Sequence, residues 1–298
     1  MNQDRRFCIC SIVGKTNVGK STLLNKLLGE KISIVTPKVQ TTRTLIRGIL
    51  TKDHLQAVFI DTPGIFTPNK QLERSMVRAA WAGLEEGMDY CFHIFDATRG
   101  ITKYDQNIME VIKSRSAINL AVINKIDRVS KEKLITLAAE IFNSGMYQEV
   151  FMTCSVKGDG IEDIITYLNK NAPLSVWMYG EDEVTTVPAK FLASEITREK
   201  LFMELGEELP YNLTVETENW EETDTAIKIN QLIYVTKANH KKIIIGKQGQ
   251  MLKLIGSKSR HELMDIFAKK VHLFLFVKVR ENWMDDPHIY NYMGIDKA

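Results

Sequence analysis

Eight residues, GKTNVGKS at positions 14–21, limit what this chain can fold into more than any other stretch. They fit GxxxxGK[ST], follow the apolar run FCICSIV and precede the helix-forming STLLNKLLG. A strand that enters a glycine loop and leaves as a helix aims backbone N–H groups and a helix N-terminus at one point, which is a phosphate cradle. Gly14 and Gly19 let the backbone wrap the anion, Lys20 reaches the terminal phosphates, and Ser21 offers its hydroxyl to Mg²⁺. Lys15, Thr16, Asn17, Val18 and Thr22 complete the cradle.

Such a loop needs a sheet behind it, and the following sequence supplies one. Short apolar runs (FCICSIV, LQAVFID, YCFHIFD, INLAVIN, EVFMTCS) alternate with segments of helical period as far as residue 171. That alternation predicts an α/β domain over 1–171, a mostly parallel sheet covered by helices. APLSVWMYGEDEVTTVP, 172–188, breaks it with prolines, a glycine and an acidic triplet and reads as a linker. Residues 189–298 then run helix, strand, strand, helix, helix, strand, the order of a smaller α+β domain.

Three further motifs fall at strand ends, where open α/β sheets bind nucleotides. DTPG, 61–64, sets Asp61 near Mg²⁺ and the Gly64 N–H near a γ-phosphate, with Thr62 and Pro63 between them. NKID, 124–127, gives Asp127 a carboxylate able to accept from both the ring N–H and the exocyclic amine of guanine. Adenine offers no such pair, so the pattern selects GTP over ATP. Asn124 is placed to bind the loop and the base edge, Lys125 to lay its stem along the base plane. Ser155 and Val156, in SVK, offer a backbone N–H to the guanine carbonyl.

Composition removes other classes. No segment approaches about 18 uninterrupted apolar residues, so a membrane-spanning helix is excluded and a cytoplasmic location is expected. Cys8, Cys10, Cys91 and Cys154 lack CxxC spacing and read as buried free thiols, and the six histidines form no metal-binding cluster. The net charge of +2 conceals a segregation: residues 195–224 hold ten acids against two bases, and residues 225–280 hold twelve bases against two acids.

The basic window surrounds a second glycine loop, IIIGKQG at 243–249. It has neither the four-residue spacer nor the GK[ST] hydroxyl of a nucleotide loop. A GxxG turn between two helices backed by a three-stranded sheet instead clamps the sugar-phosphate backbone of about four single-stranded nucleotides. Gly246, Lys247, Gln248 and Gly249 form that clamp, and Lys241, Lys242, Lys253 and Lys258 are candidate phosphate contacts. In VHLFLFVKVR, Phe274 and Phe276 either stack on bases or complete a core, and the pattern favours the core.

With those residues in place the chain resembles the translation-factor-like GTPases, and KVQTTR at 38–43 narrows this to the branch holding Era-type and tRNA-modification GTPases. The order of GTPase domain, acidic stretch and type II KH-like domain, with SEITREKLF, ELPY, IIIGKQG and VKVRENW, resembles the Era-type family over nearly the whole chain. The resemblance implies GTP/GDP and Mg²⁺ as ligands, with Ser21, Thr42 and Asp61 on the metal. Spacing alone does not separate Thr41 from Thr42. It implies that Lys20, Asn17, Thr42 and Gly64 serve the transfer step. Ile65 stands where Ras-like enzymes carry a water-orienting glutamine, and Asn17 matches an asparagine that helps related GTPases hold K⁺. NKID, SVK and GKTNVGKS depart from the commoner NKVD, SA and GRPNVGKS; the first two keep the interacting groups, and the last alters only loop rigidity.

The resemblance further implies a monomeric GTP-hydrolysing switch that binds the 3′ end of small-subunit (16S) ribosomal RNA and assists assembly of the 30S subunit. The alternatives are an RNA-binding adaptor with a structural or very slow nucleotide site, and a signalling GTPase peripheral to the inner face of the cell membrane. No lipidation motif supports the last.

Overall fold

The computed structural model describes residues 4–84, 87–206 and 208–298. Met1, Asn2 and Gln3 at the N-terminus and Glu207 of the acidic window lie outside them.

The chain forms two compact units. The first comprises the described residues up to Ser33, then Thr42–Thr186 and the terminal Ala298; the second comprises Ile34–Thr41 and Val187–Lys297. The sequence pattern predicted neither the transfer of Ile34–Thr41 to the second unit nor the boundary at Thr186.

In the first unit, β1 (Arg6–Val13), β3 (Leu55–Asp61), β4 (Tyr90–Asp96), β5 (Ile118–Asn124) and β6 (Glu149–Thr153) are parallel, and β2 (Ile46–Lys52) is antiparallel to β3. Their order is β2-β3-β1-β4-β5-β6, so the chain leaves β1 with neighbours on both sides, at the crevice where such sheets bind ligands. Every residue of β3 and β4 is buried, as expected for strands covered on both faces by helices. Around the sheet run α1 (Lys20–Leu28), α2 (Gln71–Ala82), α3 (Lys103–Lys113), α4 (Lys131–Asn143) and α5 (Ile161–Asn171). On one side Val13, Phe95 and Ile123 pack with Ile108 and Ile112 of α3 and Leu137 and Ile141 of α4.

β2 escaped the sequence reading because Gly48 interrupts a short apolar run. A side chain at Gly48 would meet Leu28 Cδ1 at 2.4 Å and Ile32 Cδ1 at 2.8 Å, so the glycine lets the ends of those side chains pack against the strand.

The stretch 172–188, read as a linker, is bonded to the first unit along most of its length. Ser175 N–H donates to the Arg5 carbonyl (3.0 Å), Trp177 Nε1–H to the Arg6 carbonyl (3.0 Å), and Ile49 N–H to the Val184 carbonyl (2.7 Å). Gln56 Oε1 accepts from the N–H groups of Met178 and Tyr179 at 2.9 and 3.0 Å. Backbone groups left open at the end of the sheet thereby find partners.

The second unit follows the expected order: α6 (Ala189–Glu204), β7 (Leu213–Glu222), β8 (Ala226–Val235), α7 (Ala238–Ile245), α8 (Gln250–Phe267), β9 (Lys270–Val279), then a short α9 (Pro287–Met293). β7 and β8 are antiparallel and β8 and β9 parallel, in the sheet order β7-β8-β9. One end of the core joins Leu201 and Phe202 of α6 to Ile233, Ile244, Ile255 and Val277. The other joins Leu192, Ile196, Ile227, Leu263 and Val271, and Ile34 from the inserted segment packs among them.

Candidate functional site

The first glycine loop is built by backbone conformations open chiefly to glycine. Gly14 has φ 156° and Gly19 φ 105°. A Cβ on Gly14 would approach the Ile94 carbonyl oxygen to 2.8 Å, and one on Gly19 would strike Asn124 Nδ2 at 2.2 Å. Between them Asn17 holds φ 63°, its side chain on the solvent side, while Thr16 and Val18 point inward. Gly19 caps α1, so the N–H groups of Lys20, Ser21 and Thr22 are those a helix start leaves without intrahelical partners.

Lys20 is 6% exposed and its ammonium donates to the carbonyls of Gly14 (3.1 Å) and Lys15 (3.0 Å). Burial drives its pKa down to about 8, a fall resisted by the Asp61 carboxylate. A buried ammonium at the mouth of such a loop can make charge-assisted bonds to an anion. Lys15 lies half-buried, its Nζ 4.8 Å from the Tyr104 ring centre.

Three oxygens converge beside it. Ser21 Oγ lies 2.7 Å from Thr42 Oγ1 and donates to Asp61 Oδ2 at 2.6 Å, and Thr42 Oγ1 lies 3.4 Å from the same oxygen. Ser33 Oγ also donates to Asp61 Oδ2 (3.3 Å). The other oxygen, Asp61 Oδ1, is buried without a hydrogen-bond partner. Burial raises the Asp61 pKa; Lys20 and the three hydroxyls oppose that. A carboxylate with an orphaned oxygen, two hydroxyls at its side and no soft ligand suits a small hard cation such as Mg²⁺. Thr41 points elsewhere, its hydroxyl bonding Thr36 Oγ1 and the Lys38 carbonyl at 2.8 Å each. Geometry thus separates the two threonines that spacing could not: Thr42 joins Ser21 and Asp61, and Thr41 does not.

DTPG closes the loop from the other side. Thr62 Oγ1 donates to the Ile12 carbonyl (2.8 Å), Pro63 is buried, and the Ile65 N–H donates to the Gly14 carbonyl (3.2 Å). Gly64 lies so near the loop that a Cβ would meet Thr16 Cα at 2.7 Å. Ile65 is 5% exposed and packs in the core, so its side chain has no access to water.

NKID and SVK lock the loops to one another. Asn124 Nδ2 donates to the Val18 carbonyl (2.8 Å), and its Oδ1 accepts from Ser155 N–H (3.0 Å), Ser155 Oγ (2.9 Å) and Thr153 Oγ1 (3.2 Å). Lys125, at φ 65°, sends its ammonium to the Asn17 carbonyl (2.6 Å) and Asp96 Oδ2 (2.7 Å), which stretches its stem between two loops. Asp127 is exposed and accepts from Cys154 Sγ–H (3.2 Å), a bond that lowers its pKa and favours the acceptor-only carboxylate. Val156 is exposed.

Three contributors were not read from the sequence. Asp96 anchors Lys125, and although burial disfavours its ionised form, bonds from Lys125 and Thr98 hold its pKa below the usual range. An acid ending a central strand, like Asp61, was the available signal. Cys154, read only as a buried thiol, orients Asp127, and Ser33 steadies Asp61; no spacing announces either.

In the second unit GKQG lies between α7 and α8. Gly246 (φ 72°, ψ 177°), Gln248 (φ 53°, ψ 27°) and Gly249 (φ 76°) all have positive φ, and a Cβ on Gly246 would meet Met251 Cβ at 2.8 Å. The backbone there is bare, and Lys242, Lys247, Gln248 and Lys253 are exposed around it, with Lys241 half-buried. Lys258 differs, for it forms an ion pair with Glu204 of α6 at 2.5 Å. The charged windows are consumed unevenly. Glu221–Lys228 (3.1 Å) and Glu222–Lys269 (2.8 Å) pair across them, and Arg280 pairs with Asp286, whereas GKQG keeps exposed lysines. The preference for Phe274 and Phe276 as core residues is corrected: they are 46% and 50% exposed, because Leu273 and Leu275 occupy the helix-facing side of β9.

Fold and site together define a P-loop GTPase joined to a type II KH domain. The description 50S ribosome-binding GTPase matches residues 9–125 and KH domain matches residues 208–284. GTPase Era of Sinorhizobium medicae is 46% identical over 287 residues, 96% of this chain and 92% of its own; that of Brucella suis is 45% identical with the same coverage. The chain belongs to the Era family of GTPases. Era in complex with MgGDPNP and nucleotides 1506–1542 of 16S ribosomal RNA superposes with a TM-score of 0.92 at 37% identity, over 97% of this chain and 99% of the other. A variant of Aquifex aeolicus Era bound to GDP·AlF4⁻ gives the same values.

Proposed function

We propose that this chain is a GTP-driven switch that binds the 3′ region of 16S ribosomal RNA and assists maturation of the 30S subunit. The observation that carries this reading is the presence in one chain of two bare-backbone glycine loops of different chemistry. GKTNVGKS ends in a buried lysine, Lys20, beside a hydroxyl–carboxylate cluster; GKQG is ringed by exposed lysines. Its relative carrying MgGDPNP and nucleotides 1506–1542 of 16S RNA supports that pairing of ligands.

Each residue then has a task. The N–H groups of 14–22 cradle the phosphates, and Lys20 holds the terminal ones. Asp61, Ser21 and Thr42 hold Mg²⁺, which supplies charge neutralisation at the phosphates when bound. The Gly64 N–H meets the γ-phosphate, Asp127 takes the guanine edge, and the Val156 N–H takes its carbonyl. Asn124 and Lys125 fix the loops that carry these groups. With Ile65 buried, no side chain at that position orients water, and Asn17 is the residue placed to help hold K⁺ where an arginine would otherwise neutralise charge. In the second unit, residues 246–249 clamp the RNA backbone with Lys241, Lys242, Lys247 and Lys253 on phosphates, and Lys258 contributes less because Glu204 already holds it.

The protein acts as a cytoplasmic monomer whose membrane contact, where made, is peripheral; among the described residues no helix is long and apolar enough to cross a membrane. The test is single-turnover GTP hydrolysis with and without an oligonucleotide of the 16S 3′ end, in KCl and in NaCl at matched ionic strength. The reading expects RNA and K⁺ each to change the rate. Crosslinked RNA that maps away from the small-subunit 3′ end would defeat the assignment of partner.

A further inference from the structure

The segment Ile34–Thr41 lies in sequence between α1 and Thr42, yet it belongs to the second unit, and α6 holds it at both ends. Near its start, Ile34 is 2% exposed in the cluster of Leu192, Ile196 and Leu263, and the Val35 N–H donates to Glu199 Oε1 at 2.7 Å. In its middle the Lys38 ammonium donates to the carbonyls of Phe202, in the last turn of α6, and of Leu205, which follows the helix. At its end Arg198 Nη2 donates to the Thr41 carbonyl at 2.5 Å.

That last contact is chemically unusual. Arg198 is 1% exposed, and its charge is already matched by Glu195 one turn away, through Nε–H (2.7 Å) and Nη2–H (2.5 Å). Taking such a pair out of water costs several kcal/mol per ion unless excellent geometry and further hydrogen bonds repay it. A helix-surface pair would balance the charge without that cost. Here the guanidinium is buried, Nη1 has no hydrogen-bond partner among the described residues, and the second N–H of Nη2 goes to a backbone oxygen 157 positions away in sequence. The oxygen is that of the Thr41–Thr42 peptide. Turning that peptide would swing Thr42 Oγ1 away from Ser21 Oγ at 2.7 Å. Thr41 cannot substitute, because its hydroxyl is committed within the segment to Thr36 and Lys38.

We propose that Arg198, a residue of the RNA-binding unit, is a positioning residue for GTP hydrolysis: by holding the Thr41 carbonyl it sets the peptide that presents Thr42 to the metal. This rests on the reading of Thr42 as a metal ligand. The hydrogen bonds of Arg198 go to Glu195 and the Thr41 carbonyl, so its effect passes through the Thr41–Thr42 peptide.

The experiment uses full-length protein in four forms: Arg198→Met, Arg198→Lys, Thr42→Ala and the Arg198→Met/Thr42→Ala double variant. Affinities for GDP and for a non-hydrolysable GTP analogue are measured by fluorescence across Mg²⁺ concentrations, with kcat and KM for GTP. Losing a charge-assisted bond predicts that Arg198→Met lowers kcat and the analogue-to-GDP affinity ratio about tenfold, with GDP affinity unchanged. Half-saturating Mg²⁺ for analogue binding rises. The double variant is no worse than Thr42→Ala alone, because residues acting through one another are not additive. Arg198→Lys keeps the charge beside Glu195 without the forked donor and loses about threefold in the same direction, which decides the matter should Arg198→Met fail to fold. A folded Arg198 variant with unchanged kcat and ratio overturns the proposal, as does full additivity in the double variant. If Thr42→Ala leaves ratio and Mg²⁺ dependence untouched, the metal reading of Thr42 falls first and the proposal falls with it.

Discussion

Asn124 donates its side-chain amide to the carbonyl of Val18 at 2.8 Å, joining the end of β5 to the middle of the first glycine loop. Its other side-chain atom accepts from both the N–H and the hydroxyl of Ser155, so one 2% exposed side chain ties three loops. Asn124→Ala would leave the Val18 carbonyl and the Ser155 N–H buried without partners, each at about 1–3 kcal/mol. Urea denaturation of the nucleotide-free protein should show a loss of about 2–6 kcal/mol. Affinities for GTP and GDP should fall together. A variant of full stability that discriminated between the two nucleotides would contradict a scaffolding role.

Asp127 has the complementary task, for it is exposed and its carboxylate is free to meet a base. Asp127→Asn exchanges one acceptor for a donor, a mismatch with the guanine amine but a match for xanthine, which carries a carbonyl at that position. Unpairing a charged hydrogen bond predicts a loss of GDP affinity of about tenfold to a hundredfold. Xanthosine diphosphate should gain affinity correspondingly. Cys154→Ala is the milder companion: it removes the bond that lowers the Asp127 pKa and, because a thiol is a weak donor, should weaken GDP binding by less than about tenfold. Equal affinities for the two diphosphates in Asp127→Asn would remove this residue from base recognition.

The pH dependence of binding follows from Lys20. Burial lowers its pKa from 10.5 to about 8, and phosphates brought against it restore the proton. Above about pH 8 the free protein has lost a proton that the complex keeps, so binding takes one up and affinity falls as pH rises. The slope approaches about tenfold per pH unit at most. For the unliganded fold the sign is opposite. The cost of the buried ammonium is fully present below pH 8 and is relieved as pH rises toward 10.5, so this group's contribution to stability improves over that window. Calorimetry at pH 8.5 in buffers of different ionisation enthalpy measures the uptake directly, and Lys20→Met should abolish it.

What the sequence disclosed depended on whether a feature was local. The five parallel strands were legible because each is a continuous apolar run, and the phosphate and base motifs because their residues sit at strand ends a few positions apart. β2 was hidden by Gly48, whose neighbours are Leu28 at the end of α1 and Ile32 in the loop after it, and nothing beside it in the chain marks them. The placement of Ile34–Thr41 was illegible for the same reason. VTPKVQ carries no mark of Glu199 and Arg198, which lie more than 150 positions away. The strand KVHLFLFVKV announced its alternation but not which face met the helices, since leucine and phenylalanine are both apolar and only packing chose between them. The charge windows misled in a similar way: net charge gives the number of cations, whereas ion pairing with Glu204, Glu221 and Glu222 decides which remain for a partner.

That distinction separates two lysines of the basic window. Lys247 lies in the GKQG turn, exposed beside bare backbone, whereas Lys258 is two turns into α8 and bound to Glu204. A single-stranded oligonucleotide of the 16S 3′ end, titrated at several salt concentrations, should give a log-log slope of about −2.8 if four lysines meet phosphates. Lys247→Ala should reduce that slope by about 0.7, the share of one phosphate on a single strand. It should weaken all sequences alike, because a phosphate contact carries no base information. Lys258→Ala should leave the slope unchanged. Its cost should appear in stability instead, at no more than about 1 kcal/mol, because the pair with Glu204 is half open to solvent and screened. A salt slope that fell equally in both variants would mean that Lys258 abandons Glu204 for phosphate when RNA binds, and the clamp would then extend along α8 beyond the glycine turn.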